Sequence, residues 1–68
     1  MKALLLAIKI FGSQNKLAKA LGLKQAYIYN WINRDKKVPA NMCIKIEELT
    51  NGKVTRHQLR PDIYPEKR

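Results

Sequence analysis

Between Lys2 and Phe11 the apolar residues Leu5, Ile8 and Phe11, with Leu4 beside them, recur at the spacing of one helical face, which predicts a first helix over residues 2–11. Gly12 ends it. Ser13 suits the cap of a second helix, because its hydroxyl accepts from the free N–H groups of a first turn; Gln14 to Leu21 then sets Leu17, Ala18 and Leu21 on one face. Gly22 closes that run. Leu23, Tyr27, Ile28 and Trp31 or Ile32 resume helical spacing, so a third helix starts almost at once and continues to Asn33, with Tyr27 expected to point inward beside Ile28 and Trp31.

Arg34-Asp35-Lys36-Lys37-Val38 is polar and aperiodic and is expected to be a loop. Pro39 restarts the chain as the first residue of a fourth helix, where its missing N–H costs nothing, and Met42, Cys43, Ile46 and Leu49 form a stripe that ends at Asn51-Gly52. Thr55 and Gln58 make a capping box for a short fifth helix from Arg56 to about Arg60, halted by Pro61, with Val54 placed to staple against Leu59. Residues 62–68 are expected to be an extended or disordered basic tail, leaving residues 1–61 as the domain. A second reading stays open for the later part. Cys43 to Glu48 also alternates apolar and polar residues, and Asn51-Gly52 is a favoured hairpin turn before Lys53-Val54-Thr55, so residues 42–58 can be written as a β hairpin.

The chain has 68 residues, and a domain of this size buries only roughly 60% of the surface its unfolded chain exposes. One cysteine, Cys43, allows no internal disulfide and no zinc cluster; on a stripe of apolar residues it reads as a small buried hydrophobe. The apolar run from Leu4 to Ile8 is too short to span a bilayer, and a signal peptide would consume the first helix, so the expectation is a cytoplasmic protein with no membrane role. Fourteen Lys and Arg against five Asp and Glu give a formal charge of +9, which favours a polyanionic partner, nucleic acid first. His57 stands beside Arg56 with no nucleophile or carboxylate at a recognisable spacing, and reads as a surface or capping residue. No paired carboxylates, glycine-rich phosphate loop or metal set emerges, so neither an enzyme nor a cofactor is expected.

The sharpest signal is a constellation: Gln14, Ala18, Gly22, Leu23, Ile28 and Trp31. Two helices meeting at a steep angle need a small residue at the crossing, Ala18, and a turn residue able to take positive φ, Gly22; Leu17, Leu21, Leu23, Ile28 and Trp31 lock the pair onto the rest of the domain. These residues describe a helix-turn-helix. Through Gln14-Asn15-Lys16-Leu17-Ala18-Lys19-Ala20-Leu21-Gly22-Leu23 and Gln25-Ala26-Tyr27-Ile28-Tyr29-Asn30-Trp31 the chain resembles the phage Cro and repressor family. Its ending, from Thr50 to Pro61, is similar to the Cro-like branch of YdaS-type antitoxins. The resemblance implies a small all-α, five-helix, lambda-repressor-like domain, operator binding and repression, usually as a homodimer. In some Cro relatives the second half is a β hairpin, so that alternative is untouched.

Helix geometry together with the resemblance turns Lys24, Gln25, Ala26, Tyr29, Asn30 and Asn33 outward from a recognition helix of about residues 24–33. Gln25 and Asn30 carry amides able to pair with adenine, Lys24 reaches guanine or a phosphate, Ala26 meets a thymine methyl, and Tyr29 packs on a base edge or sugar. Gln14 matches the family position that holds a backbone phosphate. Asn15, Asn33, Arg34, Lys36 and Lys37 lie where they can hold flanking phosphates. The expected partner is double-stranded DNA at a palindromic operator, met by a homodimer formed in solution or only on DNA. The competing reading is an antitoxin or protein-interaction module that neutralises a partner protein through the fourth and fifth helices or the tail with Ile63 and Tyr64.

Overall fold

A computed structural model describes residues 2–65 and contains, among them, five α-helices: α1 (Lys2–Phe11), α2 (Gln14–Leu21), α3 (Gln25–Asn30), α4 (Ala40–Leu49) and α5 (Arg56–Leu59). A π-helical turn, Trp31–Asp35, prolongs α3 directly. No strand occurs among the described residues, which decides between the two readings of the second half. Asn51 and Gly52 both take positive φ, 54° and 81°, as a hairpin would require, but they spend that freedom closing α4: Gly52 N donates to Glu47 O at 2.9 Å and Asn51 N to Glu48 O at 3.2 Å.

Local chemistry explains each boundary. Ser13 Oγ accepts from Lys16 N at 3.1 Å and starts α2; Gly22, at φ 74°, ends it, with Leu23 N donating to Ala18 O at 2.8 Å. The Thr55/Gln58 box forms on both sides, Gln58 N to Thr55 Oγ1 at 3.1 Å and Thr55 N to Gln58 Oε1 at 3.0 Å. Glu47 of α4 adds two more bonds at that end, accepting from Arg56 N at 2.7 Å and Arg56 Nε at 3.1 Å. Pro39 departs from expectation by one position: at φ −57° and ψ 147° it precedes α4 as the capping residue, its carbonyl accepting from Met42 N and Cys43 N.

The core is one cluster drawn from every element: Leu4 and Ala7 of α1, Leu17, Ala18 and Leu21 of α2, Ile28 of α3, Trp31 of the π turn, Val38 of the segment after it, Cys43 and Ile46 of α4, Val54, and Leu59 of α5. Two expected stripes shift. On α1 the buried face is Leu4 and Ala7, not Leu5, which is 55% exposed. At the end of α4 it is Thr50, not Leu49, that is buried; the Thr50 hydroxyl accepts from Val54 N at 3.1 Å and lies 2.9 Å from Ile46 O, so the polar group is satisfied where it stands. Burial pushes the Cys43 thiol up from its ordinary value.

Beyond Pro61 the sequence predicts an extended or disordered segment, whereas Ile63 N and Tyr64 N both donate back to Arg60 O and Tyr64 packs against the core. His57, half-buried, contacts Tyr64 O through Nδ1 at 3.1 Å, and Tyr64 Oη lies 3.4 Å from Ala40 O. Residues 66–68 of the expected tail lie outside the described residues. No helix is long and apolar enough to cross a membrane among the described residues.

Gly22→Ala tests the turn. No atom lies within 4 Å of where the new Cβ would stand, so the cost is the left-handed backbone alone, about 1 kcal/mol, read as a lower midpoint in chemical denaturation with an unchanged slope.

Candidate nucleic-acid interface

The α2–turn–α3 unit brings the starts of two helices side by side. Gln25 Nε2 donates to Gln14 Oε1 at 2.7 Å, joining the first residue of α3 to the first residue of α2 across eleven positions of sequence. That bond leaves the Gln14 amide N–H groups, one Gln25 N–H and the Gln25 carbonyl oxygen for an external partner. The last two groups are the donor and acceptor that adenine N7 and N6 require. Around the pair, Asn15, Lys24, Ala26 and Tyr29 are exposed and Asn30 is half-buried, so the five expected base-reading residues share the outer side of α3. Ile28 and Trp31 fill the inner side.

Two residues stand otherwise than the sequence predicts. Tyr27, expected inward, is 52% exposed. With Ile28 and Trp31 already occupying the interior, a helix this short has no room to bury a third large side chain, and Tyr27 lines a shallow concavity with Lys24, Ala26, Asn30 and Arg34. Asn33 is turned back on its own helix. In a π turn the backbone bonds reach five residues instead of four, and the carbonyl of Tyr29, whose α-helical partner would be Asn33 N–H, accepts from Asn33 Nδ2 at 2.9 Å.

The remaining cations lie on the π turn and the segment after it. Arg34 belongs to the turn rather than to the expected loop, and pairs with Asp35 through Nε at 3.0 Å. Lys36 takes a left-handed conformation, φ 57°, to end the turn. Lys37 is exposed. Neither α2 nor α3 contains an acidic residue, so the field over their N-terminal ends is positive.

Arg60 supports this edge in a way sequence reasoning missed. Its Nη1 donates to Val38 O at 2.9 Å, and its Nε and Nη2 hold Asp62 at 2.9 and 2.7 Å, so one largely buried guanidinium ties the segment after the π turn to the turn after α5. A contact across 22 residues of sequence leaves no periodic signal. Among the described residues no group of three or more His, Cys, Asp or Glu is placed to hold a metal.

The chain is similar to known proteins. The family model described as bacterial toxin YdaS matches residues 4–68. YdaS of Escherichia coli (strain K12), which carries a transcriptional regulator's name, is 37% identical over 57 residues, covering 84% of this chain and 58% of its own length. The repressor protein of the division inhibition gene dicB, from the same organism, is 34% identical over 62 residues, covering 91% of this chain and 75% of its own. This chain thus spans little more than half of the first relative. The structure of the Cro protein from the prophage element Xfaso 1 of Xylella fastidiosa strain Ann-1 matches with a TM-score of 0.90 at 45% identity, over 97% of this chain and all of that one.

The Arg60–Asp62 pair predicts an acid-sensitive edge. The Arg60 hydrogen bond, with a smaller contribution from Lys37, lowers the Asp62 carboxyl from 3.8 to about 2, so the pair stabilises the fold above the unfolded value and that contribution is lost as pH falls from about 4 to about 2. The difference in thermal midpoint between the protein and Asp62→Asn is expected to be constant above about pH 5, to be mostly lost near pH 2 and to level off only below it.

Proposed function

This chain belongs to the YdaS family of Cro-like helix-turn-helix proteins, and from that we propose that it is a transcriptional regulator, a repressor that binds operator DNA by laying α3 in the major groove. The observation that carries the reading is the Gln14–Gln25 bond. It fixes one amide to present a donor and an acceptor to a base edge while the other offers N–H groups to a phosphate, so positioning and reading are coupled at one point.

Each exposed residue then has a task. Gln25 and Asn30 read adenine, Ala26 meets a thymine methyl, Tyr29 packs on a base edge or sugar, and Lys24 stands at the start of the reading helix. Gln14 and Asn15 hold a phosphate at the start of α2, and Arg34, Lys36 and Lys37 hold phosphates beyond the π turn, with Asn33 contributing the one amide hydrogen its bond to Tyr29 leaves. The relatives' regulator and repressor names and a charge of +9 support DNA as the partner. A homodimer would set two recognition helices about 34 Å apart in successive grooves of a palindrome, in the bacterial cytoplasm where the nucleoid lies. Nothing in this task calls for catalysis.

The family's description as a toxin favours a second reading, a module that engages a partner protein. A groove of about 370 Å³ between α1 and α5, lined by Lys2, Ala3, Leu6, His57, Gln58 and Pro61, is its natural seat.

Selection of bound sequences from a random duplex pool at two salt concentrations tests the first reading. A palindromic motif with half-sites one turn apart, kept at the higher salt, is expected; enrichment of nothing would move the assignment to the partner protein. On the selected duplex, Gln25→Ala should cost roughly 1 to 3 kcal/mol and relax discrimination at one base pair, while Lys36→Ala should weaken every sequence alike.

A further inference from the structure

We infer that the flank of α3 formed by Lys24, Tyr27 and Arg34 is a binding site for the sugar–phosphate wall of the groove, with Tyr27 as its centre. The inference rests on the reading of α3 as the helix that enters DNA.

Four observations carry it. Tyr27 leaves half its surface in water and is not among the side chains packed against the core, so the interior does not account for its ring. It lines a concavity of about 380 Å³ whose other walls are Lys24, Ala26, Asn30 and Arg34, and none of these is acidic. At 100° per residue Tyr27 falls between the inward Ile28 and Trp31 and the outward Ala26 and Asn30, on the side of the helix rather than its tip. A helix with side chains is about 10 to 12 Å across and the major groove about 12 Å wide, so the side of a helix seated there faces a groove wall and only its tip faces base edges.

The chemistry of the three residues suits that wall. The Tyr27 ring offers an apolar face to deoxyribose and its hydroxyl one donor to a phosphate oxygen. Lys24 stands about one turn earlier and Arg34 about two turns later, together spanning roughly 15 Å of axis. Asp35 engages Arg34 through Nε and Nη2, which orients the guanidinium and leaves Nη1 to donate. Lys24 thereby acts on the backbone and not on guanine.

Binding constants for Tyr27→Phe, Lys24→Gln and Asn30→Ala, measured on the selected duplex and on a scrambled one over a range of salt, test the assignment. Tyr27→Phe keeps the ring and loses the donor, so both duplexes should bind about five- to tenfold more weakly with their ratio and salt slope unchanged. Lys24→Gln should also preserve the ratio but lower the slope by about 1, and Asn30→Ala should lower the ratio. A changed ratio for Tyr27→Phe or Lys24→Gln would put those residues on base edges and overturn the proposal, as would affinities that Tyr27→Phe leaves untouched on both duplexes. If the unaltered protein bound no duplex at all, the regulator reading would fall and this site with it, whereas the Tyr27 and Lys24 outcomes overturn this site alone.

Discussion

Gly22 holds its backbone at φ 74°, and much of the molecule is arranged around what that single turn permits. It lets α2 stop and α3 begin within three residues, so the two helices must cross at close range, which in turn demands a small side chain at the crossing and is why Ala18 is fully buried. The same geometry puts the first residues of both helices within hydrogen-bond reach, and the 2.7 Å bond between Gln25 and Gln14 follows from it. Leu17, Leu21, Ile28 and Trp31 then anchor the crossed pair to α1 and α4, so that a surface made of short polar side chains rests on a rigid, apolar base.

Helix positions were legible in the sequence because their determinants are local. Ser13, Gly22 and the Thr55/Gln58 box act within four residues of the backbone groups they satisfy, and the structure places those bonds where the pattern puts them. Faces were less legible. In α1, five apolar residues in succession from Leu4 to Ile8 fit more than one stripe, and only the packing of α2 and α5 selects Leu4 and Ala7 over Leu5. For Tyr27 the helical spacing reaches only the margin of the inward face, which Ile28 and Trp31 already fill. The second half carried a true ambiguity, since an Asn-Gly pair that accepts positive φ serves a hairpin and a helix end equally, and the buried Thr50 network is a tertiary fact that no period encodes.

The candidate site shows the same division. Its outer residues on α3 follow from which residues are buried opposite them, whereas the Gln14–Gln25 contact, the widened turn at Trp31–Asp35 and the Arg60 tie are products of the fold. Electrostatics sharpen the contrast between its sides. Glu47 and Asp62 are each drawn onto an arginine near α5, and Arg56 and Arg60 lower both carboxyls, so these acids serve the scaffold. The ends of α2 and α3 keep their lysines without an acidic residue on either helix, which is the distribution a polyanion would meet as a single positive edge.

Titrating an isotopically labelled sample with the selected duplex, and following every backbone amide, tests whether the starts of α2 and α3 together with the π turn form the face that meets DNA. Shifts should concentrate at residues 14–16, 24–30 and 33–37 while those of α1 and α5 stay near their free positions. Shifts centred on the groove between α1 and α5, with residues 14–16 and 24–30 unmoved, would contradict it.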